Sequence, residues 1–290
     1  MGLSDFPERA PEKNDQRIEL RVERGAAFRA LHHREGAFIL PNPWDIGTAR
    51  LLAHLGFEAL ATTSAGFAAS VGRRDYAVTR DEMIAHVAVI AAATSLPVSA
   101  DLQNGFGDAP EDVAETIRLA AAAGVVGGSI EDSTGNAEHP IYEFRLAIER
   151  VRAAAEASRA LSFPFTLTAR CENYLHGKPD LGDTIARLQA YQEAGADVLY
   201  APGLARKQDI AEVVRSVDRP VNVLAGMTGL AMDRAELASL GVKRISTGSG
   251  LSRVALSAFL RAASEMRESG TFTFAENTLS LREIGTMFEE

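Results

Sequence analysis

Three charged residues close three short apolar runs in this chain: Asp101 ends Ser99-Ala100-Asp101, Glu131 ends Ser129-Ile130-Glu131, and Arg170 ends Thr168-Ala169-Arg170. Two carboxylates brought together repel unless a cation lies between them, and hard oxygen donors of this kind suit Mg²⁺, with Mn²⁺ as a substitute. Gln103 adds a neutral oxygen beside Asp101, and Asp75 could hold a water on the same ion. A guanidinium on the same rim binds a carboxylate through parallel hydrogen bonds, so Arg170 reads as an anion clamp. Each residue also has a plainer reading. Asp101 and Glu131 could cap loops or pair with basic residues, Arg170 could pair with Glu131 or Glu172, and Asp75 could bond local backbone. Asn222, the polar residue in the apolar run 221–224, either contacts a ligand or bonds a side chain of a neighbouring strand.

Such residues act together only if a scaffold carries them to one place. Leu55-Gly56-Phe57, Ala123-Gly124-Val125, Ala194-Gly195-Ala196 and Leu240-Gly241-Val242 each close an Ala/Leu-rich stretch and open an apolar run, as a glycine does where a helix hands over to a strand. Leu96-Pro97-Val98, Phe163-Pro164-Phe165 and Arg219-Pro220-Val221 mark further strand starts, because proline stops a helix and tolerates the first strand position. With a first run at 38–40, strands are expected at 59–62, 98–101, 128–131, 165–170, 198–201, 221–224 and 244–247. Eight apolar runs separated by helices predict an α/β fold, a (β/α)8 TIM barrel, whose chemistry lies at the C-terminal ends of the strands.

The chain reads as one barrel domain over 1–290: an N-terminal helix within 1–36, amphipathic over 15–34 and placed at the barrel bottom, a barrel over 37–268, and a helical tail over 269–290. The tail helix, near 279–288, carries Leu281, Ile284 and Phe288 on one side, a stripe that predicts a subunit contact in a homo-oligomer, dimer or tetramer. After strand 2, the segment 64–76 is too long and too rich in small residues for a plain turn, and it predicts close backbone approach to a ligand. The polar loop 132–140 reads as a lid, and the free amides of Thr247-Gly248-Ser249-Gly250 as a site for an anion.

Other chemistries find less support. The six histidines show no paired ligand spacing, which argues against zinc; only His139 and His176 follow strands, as acid/base candidates or as surface loop residues. Cys171 reads as a buried structural thiol, since successive strand residues face opposite ways and Arg170 faces the rim. No nucleotide-binding glycine motif appears. A net charge of −9 without a basic cluster argues against nucleic acid and anionic membrane partners. A single cysteine and the lack of a long apolar stretch make the cytoplasm the default location.

Taken together, Leu40-Pro41-Asn42-Pro43-Trp44-Asp45, Ser64-Ala65-Gly66, Asp75, the run from Asp101 to Gly107, Glu131-Asp132-Ser133 and Ala169-Arg170 resemble, in this order over 37–263, the isocitrate lyase and phosphoenolpyruvate mutase superfamily, on its mutase-like branch. The resemblance implies a barrel that binds Mg²⁺ and a small 2-oxo acid or its enolate, with a terminal helix swapped between subunits in a dimer of dimers. It implies Asp101 as the direct metal ligand, with Asp75 and Glu131 reaching the ion through water and Gln103 standing where many relatives have a further Asp. The resemblance places the strip that holds the substrate's carboxylate and oxo group on Trp44, Ser64, Ala65 and Gly66; Arg170 matches the arginine clamp and Asn222 an amide on the same carboxylate.

The departures narrow the chemistry. The Lys-Lys-Cys-Gly-His lid of isocitrate and methylisocitrate lyases is missing, and the lid 132–140 has neither lysine nor cysteine, although Asn136 could stand for a phosphoryl-contacting Asn. Ser249 occupies the region where some decarboxylases place a His. The expected activity is Mg²⁺-dependent cleavage or formation of a C–C or C–P bond beside the carbonyl of a 2-oxo acid or phosphonate, with Arg170, Asp75 and Asn136 catalytic. The alternatives are a phosphosugar isomerase or aldolase using 247–250 as a phosphate cradle, and a 2-oxo acid binding protein without catalysis.

Overall fold

Four glycines at the predicted helix-to-strand joints, Gly56, Gly124, Gly195 and Gly241, all take positive φ (80°, 107°, 114° and 90°), the left-handed conformation that turns a helix end into the next strand. The computed structural model describes residues 11–226 and 229–289. The first ten residues, read as part of the N-terminal segment, and the final Glu290 of the tail lie outside them, as do residues 227 and 228. Eight parallel strands pair in the order β1-β8-β7-β6-β5-β4-β3-β2. They are β1 Phe38–Leu40, β2 Leu60–Ala61, β3 Val98–Asp101, β4 Gly127–Glu131, β5 Thr166–Arg170, β6 Val198–Tyr200, β7 Val221–Leu224 and β8 Arg244–Ser246. The helices are α1 Pro11–His33, α2 Ile46–His54, α3 Ser64–Ser70, α4 Arg80–Ala92, α5 Pro110–Ala122, α6 Phe144–Arg159, α7 Leu181–Ala194, α8 Lys207–Ser216, α9 Arg234–Ser239, α10 Gly250–Ser269 and α11 Leu281–Thr286. The result is a nearly closed (β/α)8 barrel.

The seam between β1 and β2 is not a regular ladder, because Pro41 and Pro43 carry no N–H to donate. Ala61 N donates to Pro41 O at 3.1 Å instead, and the Asn42 side chain stitches the gap. Its Nδ2 donates to Thr62 O at 2.9 Å, and its Oδ1 accepts from Thr247 N and Gly248 N, each at 2.9 Å. One buried amide thus ties the ends of β1, β2 and β8.

Helix α1 plugs the barrel bottom. Phe28 is fully buried and meets Phe38 of β1 edge-on, with ring centroids 6.5 Å apart, while His32 stands edge-on to both rings. At the other end, the segment 64–76, expected to be more than a plain turn, begins as α3. Thr63 caps it by accepting from Gly66 N at 3.2 Å, so the small residues pack as a helix turn. The last barrel helix, α10, does not cover its own barrel. Ser252 is its one buried residue, Val254, Phe259 and Leu260 are exposed, and Ile39 on the outer face of β1 is 36 % exposed. Among the described residues no helix is long and apolar enough to cross a membrane.

Candidate active site

Register places the charged residues. Asp101 at the end of β3 lies opposite Ser129 of β4, and Glu131, two residues further along β4, lies opposite Arg170 of β5. Side chains two apart on a strand share a face, so Asp101, Glu131 and Arg170 all enter the barrel at its C-terminal end. Asp101 is held firmly: its N–H donates to Thr62 Oγ1 at 2.9 Å, its Oδ2 accepts from Ser64 N at 2.9 Å, and its Oδ1 accepts from Arg170 Nη1 at 3.0 Å. Arg170 Nη1 also lies 3.0 Å from Glu131 Oε2, and Nε donates to Glu172 Oε1 at 2.8 Å. The plainer expectation for Arg170, an ion pair with Glu131 or Glu172, is what the geometry shows, with Asp101 added as a third partner.

Three carboxylates around one guanidinium leave negative charge in a dry place. Burial pushes Glu131 upward, against the pull of Arg170, and the neighbouring Glu172 and Asp75 charges push the same way. Burial likewise raises Glu172, with Arg170 opposing, while the surrounding acids raise Arg170 well above its ordinary value against the cost of its own burial. Glu172 is positioned by Asp132, whose Oδ1 accepts from Glu172 N at 2.8 Å. Asp132 Oδ2 in turn accepts from Tyr191 OH at 2.6 Å and Arg187 Nη1 at 3.2 Å.

A cavity of about 200 Å³ opens among these strand ends, lined by Ser64, Ala65, Asp75, Asp101, Arg170 and Asn222, and also by Tyr200 and Arg244. It is smaller than a drug-sized pocket, so it takes a small ligand. Six of the predicted site residues therefore share one space. Glu131 is buried behind Arg170 rather than lining it. Gln103, at φ 49°, turns its amide nitrogen to Asp75 Oδ1 at 2.8 Å. An amide beside a carboxylate donates rather than opposes its oxygen, so the oxygen donor expected of Gln103 is not what faces the acid. Burial and then Asp101 raise Asp75, while Gln103 lowers it.

Trp44 and Gly66 stand just outside the lining: a Cβ on Gly66 would sit 2.6 Å from Thr63 Cγ2 and 3.2 Å from Trp44 Cβ, so glycine lets α3 approach the base of the Trp44 side chain closely. Asn136, expected at the substrate, is exposed and away from the cavity, because its Oδ1 accepts from Glu138 N at 2.8 Å in the local turn. Asn222 bonds its neighbours, donating to Ser246 Oγ and accepting from Arg244 Nε, each at 2.9 Å, and it also borders the cavity. His139 is exposed and His176 half-buried, and neither lines the cavity. Cys171 is buried, its thiol pushed up by burial. The phosphate cradle expected at 247–250 loses the amides of Thr247 and Gly248 to Asn42 Oδ1.

Sequence reasoning missed Arg244 and Tyr200 as cavity residues, and Asn42 as the amide that ties the ends of β1, β2 and β8 beside them. Arg244 left a signal, a charge between Val242 and Ile245 at a strand start. A second cavity, about 960 Å³, lies at the barrel bottom beside His32, Pro164 and Lys243. Its size does not make it the active site, because the converging acids and Arg170 lie at the opposite, C-terminal end where barrel chemistry takes place.

The donor set has the chemistry for a hydrated divalent ion. Asp75 and Asp101 bring carboxylate oxygens to the cavity wall, and Glu131 and Glu172 stand behind them against Arg170. Among the described residues no three His, Cys, Asp or Glu side chains converge to enclose a metal. Mg²⁺ keeps several waters and needs only one or two carboxylates, so that arrangement fits it.

Comparison with known proteins shows the family. The sequence model of the phosphoenolpyruvate phosphomutase family matches residues 28–267. An uncharacterized protein of Mycobacterium tuberculosis (strain ATCC 25618 / H37Rv) is 34 % identical over 225 residues, 77 % of this chain and 82 % of that one. An oxaloacetate decarboxylase of Paraburkholderia xenovorans (strain LB400) is 30 % identical over 254 residues, 85 % of this chain and 83 % of that one. A crystal structure of a candidate lyase/mutase from Burkholderia cenocepacia J2315 superposes with a TM-score of 0.91 at 62 % identity, covering 94 % of this chain and 98 % of that one. The chain belongs to the phosphoenolpyruvate phosphomutase family, within the isocitrate lyase and PEP mutase superfamily of lyases and phosphonomutases.

Proposed function

We propose that this enzyme is a Mg²⁺-dependent lyase that breaks or forms a C–C bond beside the carbonyl of a small 2-oxo acid, by way of the acid's enolate. The observation that carries the reading is the joining of Asp101 and Arg170 at 3.0 Å on the wall of one small cavity. Asp101 would hold the ion directly and Asp75 and Glu131 through water, with Gln103 orienting Asp75; Mn²⁺ would serve in its place. When bound, Mg²⁺ acts as a Lewis acid on the oxo and carboxylate oxygens of a pyruvate-like unit.

The chain's own residues do the rest. Ser64 and Ala65 at the start of α3 bind the carboxylate end, beside Asp101. Arg170, raised and permanently charged, faces the same oxygens and steadies negative charge as it develops. Tyr200, whose phenol burial pushes up to about 12, stays protonated at neutral pH and keeps a donor on the cavity wall. The loop 132–140, anchored by Ser133 pairing with Ile141, lies against Asn104 beside the cavity, and its movement over the mouth would keep water from the enolate.

C–C chemistry is favoured over C–P chemistry because Asn136, the lid residue suited to a phosphoryl group, is turned outward and the lid offers no lysine. Exposing the protein to oxaloacetate, alkylated malates and citrates, and phosphonopyruvate with Mg²⁺, followed by NMR, tests the proposal. Pyruvate or another 2-oxo acid released from a C–C substrate, and abolished by EDTA, is the expected result. Turnover of a phosphosugar without metal, or binding of 2-oxo acids with no product from any of them, overturns it.

The exposed face of α10 supports a homo-oligomer in which this helix and the tail cross to a partner barrel. The bared Ile39 on β1 is the surface such a helix would cover.

A further inference from the structure

We infer that Arg244 is a second anion receptor at the floor of the cavity, so that the substrate is a diacid whose far carboxylate binds there. The inference rests on the 2-oxo acid reading above and names the class of acid. Arg244 opens β8, is 4 % exposed, and lines the same cavity as Asp101 and Arg170.

The two arginines differ in their company. Arg170 has three carboxylates within 3.0 Å. Arg244 has none: among the described residues no acid lies within ion-pair distance of it. Its Nε donates to Asn222 Oδ1 at 2.9 Å, its Nη2 to Thr168 Oγ1 at 3.0 Å, and its Nη1 lies 3.4 Å from His32 Nε2. His32 Nδ1 donates to Phe28 O at 2.8 Å, which leaves the unprotonated Nε2 facing the guanidinium.

All three partners are neutral. They fix the plane of the guanidinium without cancelling its charge, and they use three of its five N–H groups. A buried cation without a counter-ion is disfavoured, and burial followed by the nearby Arg170 holds Arg244 down to about 10, with Tyr200 opposing. A carboxylate arriving through the cavity supplies the missing charge. Asn222, tied to Ser246 Oγ at 2.9 Å, keeps the receptor aimed while the ligand is away.

The test compares two ligands of nearly equal size, oxaloacetate and its 4-amide, by calorimetry with Mg²⁺ present. Wild-type protein should bind the diacid at least about 30-fold more tightly than the amide, the scale of a buried charge pair. Arg244→Gln should erase that preference while keeping the amide's affinity within about threefold, and Arg244→Lys should restore part of it. Equal affinities of the wild-type protein for the two ligands overturn the receptor alone, even if the variants fail to fold. A preference that survives Arg244→Gln overturns it as well. Wild-type protein that takes up neither ligand overturns the 2-oxo acid reading and this inference with it.

Discussion

Arg170 Nη1 donates to Asp101 Oδ1 at 3.0 Å, joining the end of β5 to the end of β3 across the strand between them. That bond brings the proposed metal ligand and the anion clamp into one electrostatic unit, so a change at either residue is felt at the other. Glu131, on the intervening strand, completes the unit from beneath.

Asp101→Asn keeps the shape of the side chain and removes its charge. Metal-dependent turnover should fall roughly a hundredfold or more, while the circular dichroism spectrum stays that of the native protein. Unchanged kinetics in this variant would remove Asp101 from the mechanism.

Arg170→Met leaves Glu131 and Glu172 buried without their cation. Urea unfolding should show a loss of about 3–5 kcal/mol, the usual result of breaking one side of a buried ion pair. Adding Glu131→Gln should recover part of the loss, since one stranded charge is then gone. A single variant as stable as the wild-type protein would show that the cluster is not held by Arg170.

Two buried histidines set a pH dependence of stability. Burial, with Arg244 and His33 adding to it and Phe28 O opposing, holds His32 down to about 3; burial holds His86, stacked on Phe67 at 3.8 Å, down to about 4, with Asp45 opposing. Between those values and the ordinary 6.5, the unfolded chain binds protons that the native protein refuses. Stability is therefore present above about pH 6.5 and is lost as pH falls, by about 1.4 kcal/mol per pH unit for each histidine. The raised Glu131 works in the opposite sense. His86→Leu isolates one site, and its stability measured from pH 7 to pH 4.5 should fall less steeply than that of the wild-type protein.

Phe259, 68 % exposed on α10, lies at the centre of the proposed subunit contact. Light scattering should find the wild-type protein as a dimer or tetramer, and Phe259→Asp as smaller species, because a buried unpaired carboxylate is costly. A wild-type monomer at micromolar concentration would end the oligomer proposal.

The strand starts were legible because glycine and proline act locally. A positive φ at Gly56, Gly124, Gly195 or Gly241 is a property of one residue, and the missing N–H of Pro97, Pro164 or Pro220 needs no partner to be felt. The segment after β2 was less legible, since a cap from Thr63 makes a helix turn of residues whose composition suggests a loop. Asn136 shows the same limit: its type suits a phosphoryl contact, but the nearby Glu138 amide takes its oxygen.

The sequence by itself determined the alternation of strands and helices, and the placing of Asp101, Glu131 and Arg170 at strand ends, because these follow from local backbone chemistry and a period of two. Only the tertiary structure decided that Arg170 is surrounded by acids while Arg244, among the described residues, has none within ion-pair distance. The charge environment of a buried side chain depends on residues brought to it from distant strands, Asp101 for one arginine and Thr168 for the other, and no stretch of the chain contains that information on its own.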